Sequence, residues 1–141
     1  MDFKKIFGTD KGKETDGTWV NIAPDVSIKV RRAGPCNKAY SFEQSKMLKP
    51  FLKQIQFGTI DPTIMREINA KLFAKHIITD WKGVLVDGKP LKFTPEKFQE
   101  FALEYPDFLN VVVEAASDLQ NFQDGDDEEL VKKPATSIAT G

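Results

Sequence analysis

The sequence predicts an α+β fold that is mainly α: a small N-terminal β-hairpin, about four helices after it, and a short hairpin-like turn at 81–93. Three observations carry that expectation. Val26-Ser27-Ile28-Lys29-Val30-Arg31 alternates apolar and polar residues with the period of two expected of a half-buried strand. From Asn37 to Phe122 apolar residues instead recur mostly three or four apart, in runs opened by Asp61-Pro62, Thr94-Pro95 and Pro106-Asp107. Asp87-Gly88, set between Val84-Leu85-Val86 and Leu91-Lys92-Phe93, is a pair favoured in tight hairpin turns, where both central residues take positive φ.

Taken in order, residues 1–17 are polar and glycine-punctuated, with only Phe3, Ile6 and Phe7 to pack, and read as a flexible leader. A single compact domain is expected over 18–122. Its first strand, 18–22, pairs with the second across Ala23-Pro24-Asp25. Gly34-Pro35 ends that hairpin. Over 37–57 the residues Tyr40, Met47, Leu48, Phe51, Leu52 and Ile55 form an apolar row, with Lys46, Lys49 and Lys53 on another side. Pro50 removes a backbone hydrogen bond inside this run, so a kink is expected, or two shorter helices meeting near Lys49. Gly58 closes it. The Asp61-Pro62 cap starts a helix expected to reach about Asp80, with Ile64, Ile68, Leu72 and His76 on one line. Thr94-Pro95-Glu96 starts another through Glu104. After Tyr105-Pro106 a last helix is expected to near Phe122, turning Phe108, Val111, Val112, Ala115, Leu119 and Phe122 inward. The stretch 123–141, with its GDDEEL run, reads as a disordered acidic tail.

Composition narrows the function classes. The chain has 141 residues, 40% hydrophobic, including eleven phenylalanines, enough for the core of one domain. Twenty basic residues against 21 acidic ones give a net charge of −1, which predicts no broad nucleic-acid footprint. One cysteine, Cys36, and one histidine, His76, leave no material for an internal disulfide or a thiolate zinc site. No segment approaches the ~20 apolar residues of a membrane span, and the opening MDFKKIFGTDKGKETDG has no signal-like apolar run, so a soluble cytoplasmic protein is expected.

The stretch Gly83-Val84-Leu85-Val86-Asp87-Gly88-Lys89-Pro90 matches the phosphate-binding pattern G-x-x-x-x-G-K-[ST] in all but its last letter. Proline there removes both the hydroxyl and an amide, and the next helix signal comes only at Thr94-Pro95, so a structural turn is expected. His76 continues an apolar helix line and reads as a half-buried, hydrogen-bonded residue. Cys36 precedes a helix start, where a thiolate is somewhat favoured, but no histidine lies near it in sequence. The acidic run from Asp124 lacks glycine and glutamate at the calcium-loop positions, which fall on Glu129 and Ala135. Arg31-Arg32 with Lys38, Lys46, Lys49 and Lys53 is the densest basic region and reads as a solvated face. Trp81 either pins the turn to the core or faces a partner. No catalytic constellation emerges, so the chain reads as an interaction protein without cofactor or metal rather than an enzyme.

Asp80-Trp81-Lys82-Gly83-Val84, followed by Asp87-Gly88-Lys89-Pro90-Leu91-Lys92-Phe93-Thr94-Pro95-Glu96, resembles the signature of tail assembly chaperones of long-tailed bacteriophages, the siphophage type. Tyr105-Pro106-Asp107-Phe108 and Glu114-Ala115-Ala116-Ser117-Asp118-Leu119-Gln120-Asn121-Phe122 are similar to that family's ending, and Ile28 to Gly34 with Asn37-Lys38 to its opening strand and first helix. The resemblance spans roughly 26–122. Its signature positions here are Trp81, Gly83, Val84, Asp87, Gly88, Lys89, Pro90 and Thr94; candidate partner contacts are Trp81, Phe108 and Phe122.

The resemblance implies a non-enzymatic protein of the infected host's cytoplasm. It would bind the tape measure protein, keep it soluble while tail-tube subunits assemble around it, and be absent from the mature virion. It also implies contact with tail tube protein through a longer frameshifted product, for which the adenine-rich codons possible at Lys132-Lys133 are a candidate site, and self-association into a homo-oligomer. Two alternatives remain open: a minor structural tail protein retained in the virion, and a small nucleic-acid-binding regulator using the basic region near Arg31.

Overall fold

The alternating run at 26–30 becomes the centre of a three-stranded antiparallel sheet. In the computed structural model, which describes residues 1–124, β1 (Thr18–Ala23) pairs with β2 (Val26–Val30) across a turn where Asp25 takes φ 63°. Along both strands alternate residues point inward: Val20, Ile22, Ile28 and Val30 are buried. The outer face carries polar and half-buried groups, and there the Lys82 ammonium sits 4.0 Å from the centroid of the Trp19 ring.

The third strand was not expected. The helix started by Asp61-Pro62 forms, with the Asp61 carboxylate accepting from the Thr63 amide at 2.8 Å, but it stops at His76 rather than near Asp80. β3 (Ile78–Lys82) follows at once and pairs with β2, Ile28 opposite Trp81 and Val30 opposite Ile78. Ile77-Ile78-Thr79 is a β-branched run, poor in helix and well suited to a pleated surface, and pairing buries Ile78 and Trp81. The helical spacing of Ile77 had masked this switch.

The other boundaries follow local chemistry. Pro50 divides the 37–57 run as expected: α3 (Lys38–Leu48) gives way to a 3₁₀ turn at Lys49–Phe51 and then to the short α4 (Leu52–Gln56). The apolar row there is only partly inward, because Leu52 and Ile55 remain exposed, as do Phe42 and Phe57 outside it. With α5 (Pro62–His76) and α6 (Pro95–Glu104), the proline at the first helical position sits just after its capping residue; the Thr94 hydroxyl accepts from the Lys97 amide at 3.1 Å. α7 (Pro106–Ser117) ends five residues before Phe122; Asp118 then caps a 3₁₀ turn, Leu119–Phe122. Its inward residues are Leu109, Val112, Ala115 and Ala116, while Phe108 and Val111 are only partly covered.

Helices α5 and α7 cover one face of the sheet, and α6 packs against α5. The fully buried Phe73, Phe98, Phe122, Ile28 and Leu72 fill the space between these layers. The leader also differs from expectation. Phe3–Phe7 and Lys11–Asp16 form two short helices, α1 and α2, and the second carries a buried carboxylate, Glu14, bonded by Arg32 at 2.9 Å. The Asp10 amide donates to the Phe122 carbonyl at 2.7 Å, tying this segment to the end of the core. Except for Gln123 and Asp124, the acidic tail, the calcium-like run and Lys132-Lys133 lie outside the described residues.

Candidate functional site

The signature region folds into a hairpin standing on the sheet's edge. β4 (Leu85–Val86) and β5 (Lys89–Pro90) pair antiparallel, and the Leu91 amide donates to the Val84 carbonyl at 3.0 Å. Asp87 (φ 52°) and Gly88 (φ 78°) make the turn, both in the left-handed region that a two-residue hairpin of this hand requires. Pro90 is tolerated because this strand is two residues long and at an edge. No helix starts directly after Lys89, so the near-match to a phosphate loop is a hairpin. At its base Gly83 (φ 79°) lies so close to the β1–β2 turn that a side chain there would overlap the Asp25 carbonyl.

Trp81 anchors this hairpin. It is 5% exposed, its indole Nε1 donates to the Leu91 carbonyl at 2.8 Å, and its ring meets Phe93 edge-on at 5.1 Å and stacks on Phe101 at 6.2 Å. Trp81 therefore takes the pinning role, not that of an exposed contact. Phe122, also a candidate partner contact, is fully buried under Arg32, whose guanidinium lies 5.8 Å from its ring centroid. Both are large apolar rings, and the core claims them. Of the three, Phe108 and the largely buried Trp81 border an accessible surface.

That surface is an apolar groove of about 710 Å³ between the hairpin, the β1–β2 turn and the junction of α6 with α7. Trp81, Phe101 and Phe108 line it, Val84, Leu85 and Val86 come from the hairpin, and Ile22, Ala23 and Val26 from either side of the β1–β2 turn. Glu104, Tyr105 and Asp87 complete it. Its volume lies within the ~300–1,000 Å³ typical of binding pockets, room for several side chains of one partner face. Leu85 is 59% exposed, Val86 41% and Tyr105 54%. Three largely apolar side chains are thus held in the open beside the groove. Sequence reasoning singled out the hairpin but not Leu85, Val86 or Tyr105 as exposed; the only signal was three apolar residues beside a two-residue turn.

A smaller cavity of about 350 Å³ brings Cys36 and His76 together with Glu14, Asn37 and Arg31. The sequence had kept these two apart. Partial burial and the Glu14 carboxylate push the Cys36 thiol up, which opposes thiolate formation. Burial raises the Glu14 carboxyl, but hydrogen bonds from Arg32, Thr9 and Cys36 outweigh it and hold it below its ordinary value. His76 Nε2 is 3.0 Å from Glu43, which also accepts from Lys75 at 2.8 Å; those two partners lower the Glu43 carboxyl to about 2. These are ties between α3 and α5. Arg31 donates to the Thr15 carbonyl and Arg32 to Glu14, so the arginines of the basic region hold α2 in place. Among the described residues no cluster of three or more His, Cys, Asp or Glu could hold a metal ion, and no helix is long and apolar enough to cross a membrane.

Residues 36–133, more than two thirds of the chain, match the family model described as YdaY prophage protein. The match runs from the start of α3 through the hairpin and α7 and beyond Asp124. No curated protein and no solved structure matches the chain.

Proposed function

This chain belongs to the YdaY prophage protein family and is thus phage-derived, and from that premise we propose that it is a tail assembly chaperone. In this reading it binds the tape measure protein in the host cytoplasm, keeps that long helical chain soluble while tube subunits assemble, and leaves before the tail is complete. The observation that carries the reading is the groove: an apolar concavity with Leu85, Val86 and Tyr105 exposed beside it, built on the hairpin whose sequence resembles the chaperone signature. A helical client is held by laying its apolar face into such a groove, with anchors spaced along one side of the helix. Binding without chemistry suits a site whose polar groups are two surface carboxylates, backbone and a phenol.

Co-expression with the tape measure protein tests the proposal. The expected result is that the client stays soluble and co-purifies only when this chain is present; no rescue and no co-purification contradict it. Mass spectrometry of purified virions separates the reading from a structural tail protein, since a chaperone is absent or at trace level and a structural component appears at fixed copy number.

A further inference from the structure

We infer that the groove selects an amphipathic helix whose apolar anchors are flanked by a lysine or arginine, and that Glu104 and Asp87 read that cation. The inference rests on the groove being the client site. The charged residues lining it are these two carboxylates and no base. α6 also ends there with Glu104 in its last turn and no basic residue. The carbonyl end of a helix carries partial negative charge, so an acid at that position is unfavourable in the free chain and is relieved by a cation brought from outside. Lys82 lies over Trp19 on the other face of the sheet, and Lys89 and Lys92 of the hairpin do not line the groove. The exposed Tyr105 ring offers a further surface for an ammonium or guanidinium. Apolar area supplies the affinity and the carboxylates choose which helices enter.

The probes are two fluorescein-labelled amphipathic peptides of about 20 residues, long enough to hold helix, with the same leucine face and flanked by either lysine or glutamate. Titrated against the full chain by anisotropy, the lysine peptide is expected to bind roughly tenfold tighter at low salt, the advantage shrinking in about 0.5 M salt. Glu104→Gln combined with Asp87→Asn is expected to bring the two peptides within about twofold, because removing both carboxylates leaves only the apolar term. Asn accepts the left-handed backbone of position 87, and Glu104 is exposed, so the variant keeps its fold. Equal affinities in the native chain, or an advantage that survives the double substitution, overturn the inference. So does a peptide of residues 123–141 outcompeting the lysine peptide, which would give the groove to this chain's own terminus. Lysine selectivity without rescue of the tape measure protein leaves charge selection standing and removes the chaperone reading; rescue with equal peptide affinities does the reverse.

Discussion

Gly83 and Gly88 share a backbone conformation but not an environment, which turns one substitution made twice into a test of how the hairpin is held. Their φ values are 79° and 78°. Alanine at either position meets the left-handed penalty, about 1–2 kcal/mol. At Gly88 nothing lies within 4 Å of the added carbon, so the cost stops there. At Gly83 the same carbon overlaps the Asp25 carbonyl oxygen and sits 2.9 Å from its carbon, both backbone atoms of the β1–β2 turn. Relieving that overlap means moving one turn off the other, which adds roughly 1–3 kcal/mol as overpacking does in a core. The expected outcome in urea is a loss of about 1–2 kcal/mol for Gly88→Ala and a larger one, about 2–5 kcal/mol, for Gly83→Ala, with unchanged denaturant slopes. Equal losses would refute the claim that the hairpin is seated against Asp25. If Gly83→Ala also weakens client capture while Gly88→Ala does not, the seat and the groove are linked as the geometry requires.

Other outcomes follow from the same contacts. Arg32→Ala leaves the buried Glu14 carboxylate without its strongest partner and is expected to cost about 2–4 kcal/mol, measured by denaturation; Glu14→Gln with Arg32→Ala should recover part of that loss. Glu43 has a folded value of about 2 against an ordinary 4.5, so its contribution is full above about 4.5 and is lost as pH falls toward 2. Glu43→Gln should therefore flatten stability against pH across that window, followed by thermal melts. Phe98→Ala empties a fully buried site between α6 and α5 and should cost about 3–5 kcal/mol.

Much of this architecture is legible in local sequence. Thr94-Pro95 and Asp61-Pro62 mark helix starts because a capping oxygen and a fixed φ act within one turn, and Pro50 breaks its run for an equally local reason. Asp87-Gly88 announces its turn because few other pairs accept two positive φ values. What sequence hides is decided at a distance. β3 exists because β2 offers it a partner, and nothing in Ile77-Ile78-Thr79 alone outweighs the helical spacing before it. The leader folds because Glu14 finds Arg32 and Asp10 finds Phe122, polar contacts that no hydrophobic period reveals. The groove is less legible still: Trp81 and Phe122 look like contact residues by type, yet both are buried, while Leu85, Val86 and Tyr105 stand exposed.

The most direct test of the central claim pairs client solubility with a groove variant that keeps its fold. Leu85→Ser with Val86→Ser changes two exposed side chains, so the chain's own stability should move by no more than about 1 kcal/mol and its circular dichroism should be unchanged. Each apolar anchor buried by a client is worth about 1.5–3 kcal/mol, and a hydroxyl in its stead forfeits most of that without changing the groove's charge. The native chain is expected to keep co-expressed tape measure protein in the soluble fraction and the double variant to lose it. A variant that holds the client in solution as well as the native chain does would contradict the account.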